Sequence, residues 1–187
     1  MTTSVLVLVG SLRAASTNRA LAEALVHHAP EGAELRLFEG LGELPFYSDD
    51  LEAAGAPASV EALRAAVAEA DTLLLVTPEY NGALPAVLAN AIDWISRPFG
   101  AGAVKDVPSA VVGTALGQYG GVWAQEIARR ALGIAGASVL DEVFLAVPGS
   151  VKRYAELHPR DDQDVVEGAA KVIGALVAAH EGAVVPA

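Results

Sequence analysis

The chain has 187 residues, about the length of one domain. It contains no cysteine, which excludes disulfide bonds, cysteine nucleophiles, cysteine zinc sites and iron–sulfur clusters, so any redox chemistry must come from a bound cofactor. Its formal net charge of −11 repels a nucleic-acid backbone and an anionic membrane surface, so we expect no nucleic acid and no membrane as partners.

Hydrophobic residues make up 53% of the chain. The uncharged stretch 107–125 is nevertheless no membrane span, because it contains Pro108 and four glycines, whereas a bilayer helix needs about 20 mainly apolar residues. The first strand-like segment begins without a basic region before it and without a small-residue cleavage site after it. We therefore expect no secretory signal and a cytoplasmic protein.

Along the chain, short β-branched segments alternate with longer Ala- and Leu-rich ones. The short segments lack polar alternation, which is typical of strands buried on both faces of a parallel sheet. The predicted strands are 4–9, 34–38, 72–77, 109–114 and 143–147. The longer segments carry apolar residues at helical spacing. The predicted helices are 18–28, 59–70, 84–95, 124–135 and 165–177.

This alternation predicts an α/β fold with a doubly wound parallel sheet and helices on both faces, because right-handed crossovers alternate between the faces. Five strands favour the flavodoxin-like order 2-1-3-4-5 over the six-stranded dinucleotide fold. We predict a single domain, 1–187, with a frayed tail at 181–187. Ligands of such sheets bind beyond the carboxyl ends of the strands where the strand order reverses. The segments after the first, third and fourth strands are therefore the candidate site.

The segment after the first strand is rich in donors for an anion. A helix N-terminus presents unpaired N–H groups and a partial positive charge. Hydroxyl, amide and guanidinium donors come from Ser11, Arg13, Ser16, Thr17 and Asn18. The segment is neither GxGxxG nor GxxxxGK[ST], so it favours a single phosphate monoester over a pyrophosphate or ATP. The alternative is that Ser16, Thr17 and Asn18 only cap the following helix.

The segment after the third strand reads Thr77-Pro78-Glu79-Tyr80-Asn81-Gly82. Pro78 stiffens the exit from the strand, and Gly82 permits a close backbone approach or a positive φ. Such a loop presents a rigid edge of peptide groups that can read a flat heterocycle. The alternative is an ordinary Asn-Gly turn. Glu79 has no evident carboxylate partner, so we assign it no proton-transfer role.

The segment 114–121 after the fourth strand contains Gly117, Gly120 and Gly121. Glycines at these positions let the backbone approach a ring or a second substrate, and Tyr119 is a candidate for stacking on it. The alternative is a flexible connector.

Together these segments resemble one family, the NADPH-dependent FMN reductases with a flavodoxin-like fold, which includes bacterial quinone and chromate reductases. Gly10-Ser11-Leu12-Arg13-x-x-Ser16-x-Asn18 is similar to the family's phosphate loop. The 77–82 segment, followed by Pro85 and by Asn90-Ala91-Ile92-Asp93-Trp94, is similar to its flavin-ring segment. The similarity in layout extends over nearly the whole chain.

The resemblance implies roles for individual residues. Ser11, Arg13, Ser16 and Asn18 would hold the FMN phosphate, with Thr17 assisting. The isoalloxazine would be lined by Pro78, Glu79, Tyr80, Asn81 and Gly82. Thr114 and Gly117 are further candidates, although the third segment departs from the Ser-rich start that family members often carry there.

The resemblance also implies a ping-pong reaction in which NADPH or NADH reduces bound FMN, which then reduces a small-molecule acceptor. The acceptor would be a quinone, a free flavin, an azo compound or a metal oxyanion. No side chain needs to act as nucleophile or base, so we predict no catalytic residue. The four histidines lack metal-ligand spacing, and we predict no metal site.

The family's dimers and tetramers imply a homodimer or homotetramer. A second face of helix 84–95 is the predicted interface, because an exposed aromatic at helical spacing is often an interface feature. This face carries Ala86, Asn90, Asp93, Trp94 and Arg97.

Two rival functions remain. A non-enzymatic electron carrier of flavodoxin type would also be acidic and bind FMN, but such carriers use an uncharged phosphate loop, whereas this loop contains Arg13. A flavin-free receiver domain needs an acidic cluster at the strand ends, where this chain has Gly10 and Thr77. Oxidation of NADPH by the purified protein separates the reductase from the carrier.

Overall fold

A parallel sheet forms the centre of the structure, a computed structural model that describes residues 2–184. Its strands are β1 (Thr3–Val9), β2 (Ala33–Leu37), β3 (Thr72–Thr77), β4 (Pro108–Thr114), β5 (Ser138–Val139) and β6 (Ala146–Val147). The strands run in the order β2-β1-β3-β4-β5, and β6 also pairs with β4. The predicted order 2-1-3-4-5 is confirmed.

Seven α-helices surround the sheet within residues 2–184. They are α1 (Thr17–His27), α2 (Asp49–Ala53), α3 (Ala58–Ala68), α4 (Ala86–Ile95), α5 (Val122–Ala135), α6 (Ser150–Arg153) and α7 (Gln163–Val184). Of the predicted frayed tail, 181–184 lie in α7 and 185–187 lie outside the described residues. No helix within the described part of the chain is both long and apolar enough to cross a membrane.

The helices form two layers because the central strands are apolar on both faces. Leu21 and Leu25 of α1 pack with α7 against one face. On the other face, α3, α4 and α5 bury side chains such as Leu63, Leu88 and Leu132. Every residue of β3 and β4 is buried as a result. The uninterrupted apolar runs that predicted these strands reflect this double burial.

The predicted fifth strand, 143–147, forms only in part. Two dipeptide strands, β5 and β6, occupy the edge position beside β4, and the chain leaves the sheet between them. Arg129 of α5 reaches into this gap, where its Nη2 donates to the carbonyl oxygens of Val111 (2.7 Å) and Val143 (3.2 Å). A buried guanidinium therefore replaces part of the hydrogen-bond ladder that a continuous strand would make.

The predicted interface on α4 is wrong for Trp94 and Asn90. Trp94 is fully buried, and its Nε1 donates to the carbonyl oxygen of Pro45 at 2.8 Å. Asn90 accepts from the backbone N–H of Tyr47 at 2.8 Å and donates to Pro45 at 3.0 Å. The long connection after β2 folds back over Asn90 and Trp94, so the chain itself covers this part of the face. Asp93 stays exposed.

Candidate functional site

A cavity of about 370 Å³ opens beyond the carboxyl ends of β1, β3 and β4. Because β1 lies between β2 and β3, this is the point where the strand order reverses, as the fold predicts for a ligand site. Most of the predicted binding residues line it. They are Ser11, Arg13, Ser16, Thr17, Asn18, Pro78, Glu79, Tyr80 and Thr114.

Three predicted residues lie outside this lining. Asn81 (φ 54°) and Gly82 (φ 70°) form the tip of a tight turn, closed by hydrogen bonds in both directions between the backbones of Tyr80 and Ala83. Two successive positive φ angles are typical of a type I′ hairpin turn, which Asn-Gly favours. Gly117 is exposed, and its carbonyl oxygen accepts from the N–H groups of Gly120 and Gly149.

Two of the side chains predicted to bind the phosphate, in the segment 11–18 after β1 (the first loop), already have hydrogen-bond partners within the protein. The hydroxyl of Ser16 accepts from the N–H of Arg19 at 3.1 Å and caps α1. The Nδ2 of Asn18 donates to the carbonyl oxygen of Thr114 at 2.8 Å, while its Oδ1 accepts from the Thr114 N–H at 3.0 Å. Ser16 therefore caps α1, and Asn18, in the first turn of α1, joins that helix to the end of β4.

The positive charge of the cavity comes from Arg13. It is exposed and has no ion-pair partner among residues 2–184. Arg19 differs, because Glu39 at 2.6 Å and Glu23 at 2.8 Å neutralise it and raise its pKa above the usual value. An unpaired guanidinium beside the N-terminus of α1 is suited to a phosphate group.

Glu79 caps a helix. Its Oε2 accepts from the backbone N–H groups of Trp123 (3.1 Å) and Ala124 (3.2 Å) in the first turn of α5. The residue before that turn, Gly121, has no side chain that can do so. The carboxylate thus joins the 78–82 loop to the helix that follows the 114–121 segment.

Four lining residues were not among the predicted ones: Ala115, Leu116, Ser150 and Val151. Ser150 is buried, and its N–H donates to the carbonyl oxygen of Ala115 at 3.0 Å. A signal for it was present, since Pro148-Gly149-Ser150 directly follow the predicted fifth strand, whose carboxyl end lies at the same sheet edge. The break in that strand does not move this end away from the cavity.

The residues present fit FMN. The unpaired Arg13, the hydroxyls of Ser11 and Thr17 and the N-terminus of α1 provide donors for a phosphate at one end of the cavity. Pro78, Tyr80 and Leu116 provide backbone and apolar surface toward the other loops.

Comparison with known proteins agrees with this chemistry. A sequence model described as NADPH-dependent FMN reductase matches residues 3–152. The chain belongs to this FMN reductase family. Within the family, it is 43% identical over 129 residues to a quinone reductase of Pseudomonas putida, covering 69% of each chain. It is also 43% identical over 125 residues to a 2-hydroxy-1,4-benzoquinone reductase of Burkholderia sp, covering 67% of each chain.

The fold comparison extends over almost the full length. FerB, a flavoenzyme NAD(P)H:(acceptor) oxidoreductase from Paracoccus denitrificans, superimposes with a TM-score of 0.86 at 34% identity, covering 97% of this chain and 98% of that one. The predicted family, flavodoxin-like fold, FMN and NAD(P)H dependence are confirmed. This FMN reductase is an oxidoreductase that passes electrons to a small-molecule acceptor, which argues against the carrier and receiver alternatives.

Proposed function

We propose that this FMN reductase is a quinone reductase that holds the FMN phosphate with Arg13. The observation that carries the proposal is the Arg13 guanidinium, which has no ion-pair partner among residues 2–184 and lines a cavity at the reversal of strand order. The identity to enzymes named as quinone reductases supports a quinone over the other acceptors. FMN supplies the two-electron chemistry, and the chain supplies placement and electrostatics.

The first loop would bind the phosphate with two kinds of residue. Arg13, Ser11 and Thr17 would donate hydrogen bonds to its oxygens, together with the free N–H groups of α1. Ser16 and Asn18 would act mainly by holding the loop in place, since their side chains already cap α1 and join Thr114. Substitution of Arg13 would weaken FMN binding most, because its contact with the phosphate would be charge-assisted.

The ring would meet the other two loops. Pro78, Glu79, Tyr80 and Thr114 line the cavity where the isoalloxazine would lie. Asn81, Gly82 and Gly117 do not line the cavity, but they would lie next to the residues that contact the ring.

The rim of the cavity supports a flat, apolar acceptor. Leu116 and Tyr80 line the cavity and are exposed. Tyr119 and Trp123 lie outside the lining but follow Leu116 closely in the chain; they are also exposed, and their ring centroids lie 5.3 Å apart. Exposed aromatic surface of this kind favours stacking with a planar quinone ring.

The test begins with the purified protein. We expect bound FMN, visible as a yellow colour and flavin absorption, and continuous oxidation of NADPH or NADH when a benzoquinone is added. Parallel assays with an azo dye, free FMN and chromate rank the acceptors, and the quinone should give the highest kcat/KM. A flavin-loaded protein that oxidises neither nicotinamide with any acceptor would instead be a carrier.

We also propose a homodimer or homotetramer in the cytoplasm. The support for assembly is the exposed apolar surface of α5 formed by Ile127 and Ile134. Light scattering of the protein eluting from a size-exclusion column should give two or four times the chain mass. Ile134→Lys should lower this measured mass. The cytoplasmic location rests on the use of NAD(P)H and is tested by cell fractionation.

A further inference from the structure

One carboxylate joins the 78–82 loop to α5, the helix that follows the 114–121 segment. Oε2 of Glu79 accepts from the N–H groups of Trp123 and Ala124 at 3.1 and 3.2 Å. Gly121 (φ 83°), the last residue of the 114–121 segment, faces the same residue: an added Cβ would lie in ordinary van der Waals contact with the Cβ of Glu79, at 3.6 Å. The 78–82 loop therefore lies beside the start of α5, and Glu79 supplies the polar contact between them.

The carboxylate also changes the local charge. The N-terminus of α5 carries roughly half a positive charge, because its first N–H groups have no partner within the helix. Two of these groups bond to Glu79, so its negative charge offsets that of the helix end. Arg13 and Glu79 are the two ionised side chains in the lining of the cavity. Because Glu79 offsets the charge of the α5 N-terminus, Arg13 is the main source of positive charge in the cavity.

We propose that Glu79 is a positioning residue that fixes the 78–82 loop on α5 and, by cancelling the positive end of that helix, keeps the reduction potential of bound FMN low. The inference rests on the proposed function and deepens it. Hydride transfer oxidises NAD(P)H to NAD(P)⁺ and carries two electrons and one proton to the flavin, which gains one negative charge. A carboxylate nearby opposes that charge, and an uncompensated helix N-terminus favours it.

The test compares Glu79→Gln with Glu126→Gln. The first change removes the charge but keeps an oxygen that can accept from α5. The second removes an exposed carboxylate about one turn further along α5. The potential of bound FMN is measured by equilibration with a reference dye, and unfolding is followed by thermal melting.

For Glu79→Gln we expect reduced FMN to bind about tenfold more tightly relative to oxidised FMN. For a two-electron couple this equals a midpoint potential about 30 mV more positive. Glu126→Gln should shift it by much less. Glu79→Ala should show the same direction of shift and, through loss of the cap, a melting temperature lower by about 2–4 °C.

Two results would overturn the inference. If Glu79→Gln binds FMN with an unchanged potential, Glu79 has only a structural role, even if melting is affected. If the control shifts the potential equally, the effect is one of overall charge. A wild-type protein that binds no FMN would remove the proposed function first, and this inference with it, so the two failures are distinguishable.

Discussion

The two walls of the cavity are built in different ways. The first wall, residues 11–18, is made of polar side chains on a loop and the start of a helix. The second wall, formed by 78–82 and 114–121, is shaped by its backbone, with a turn of two positive φ angles and with Gly120, where an added Cβ would lie 2.7 Å from the backbone of Ala146. Ligand binding by the first wall depends on which side-chain donors are free, and the shape of the second wall depends on the conformation of its backbone.

The comparison shows that residue type alone does not separate binding from support. Ser16, Asn18 and Arg13 all suit a phosphate site by chemistry, yet the first two have partners inside the protein and Arg13 has none within residues 2–184. The Glu79 carboxylate of the second wall likewise has backbone partners. Substitutions should therefore divide into those that change stability and those that change flavin affinity.

The largest expected effect is in the strands that carry the backbone-built wall, at the residue directly before the 114–121 segment. A Cβ added to Gly113 of β4 would lie 2.2 Å from the carbonyl oxygen of Thr77 on β3, and the two residues are opposite each other in the sheet. Because the clash is with backbone, the strands must separate. We expect Gly113→Ala to lower the free energy of unfolding by about 3 kcal/mol, measured by urea denaturation.

The matched control is Gly174→Ala in α7, where no atom lies within 4 Å of the added Cβ. Alanine is the better helix former, so this variant should be more stable by about 0.5–1 kcal/mol. A similar loss in both variants would contradict the role of close strand contact.

The next effect concerns affinity in the side-chain-built wall. Arg13→Ala removes a charge-assisted contact worth about 1.5–3 kcal/mol, so the Kd for FMN should rise about 10- to 150-fold. Stability should barely change, because Arg13 is exposed and unpaired within residues 2–184. Titration of the apoprotein with FMN, followed by flavin fluorescence, measures the Kd. Arg130→Ala, at an exposed position on α5, is the control.

If Arg13→Ala leaves the Kd unchanged, the phosphate assignment of the first wall fails. If Arg130→Ala weakens FMN equally, the effect reflects the protein's overall charge instead of a local contact.

A smaller effect should appear where the two walls meet. Asn18→Ala leaves the N–H and C=O of Thr114 without their side-chain partner in a buried place, which should cost about 1–3 kcal/mol of unfolding free energy. Ser11→Ala, in contrast, should leave stability unchanged and weaken FMN binding. Chemical denaturation and FMN titration of both variants test the division. Equal stability losses would remove the distinction between supporting and binding residues.

How far the sequence predicts this molecule depends on how local each signal is. The strands β1, β3 and β4 follow from uninterrupted apolar runs, and the helices from apolar spacing, because burial on one face or two leaves a pattern in consecutive residues. The edge strand failed because Arg129, 14 residues before Val143, takes part of its hydrogen bonding. A hydrogen bond from a side chain so far away in the sequence leaves no periodic pattern in the residues of the strand.

The same reason separates the predicted and missed parts of the site. The loops were found because their position after strands is a topological rule. Which polar side chains remain free to bind a ligand was not predictable, since the partners of Asn18 and Glu79 lie 96 and 44 residues away in the chain. Trp94 was assigned to an outer face for a similar reason, because the helical spacing does not show that Pro45 covers it.

The smallest expected effect lies at the amino-terminal ends of β1 and β3, at the opposite end of these strands from both walls, where polar groups hydrogen-bond to one another. Asp71 accepts from the N–H and the hydroxyl of Ser4, both at 2.8 Å, and lies 3.6 Å from His180. The backbone N–H of Ser4 contributes most to lowering the pKa of Asp71 below its usual value.

Because the folded-state pKa of Asp71 is lowered, its contribution to stability is complete above about pH 4, the unfolded value, and is lost as the pH falls through the folded-state pKa. The partly exposed site is screened by water, so we expect about 0.5 kcal/mol. Unfolding free energies of wild type and Asp71→Asn should differ by this amount at pH 6 and converge towards pH 3, while the flavin affinity at pH 7 stays the same. Glu34→Gln, an exposed carboxylate on β2, is the control. A difference that persists unchanged to pH 3 would show that Asp71 acts through packing and not through its charge.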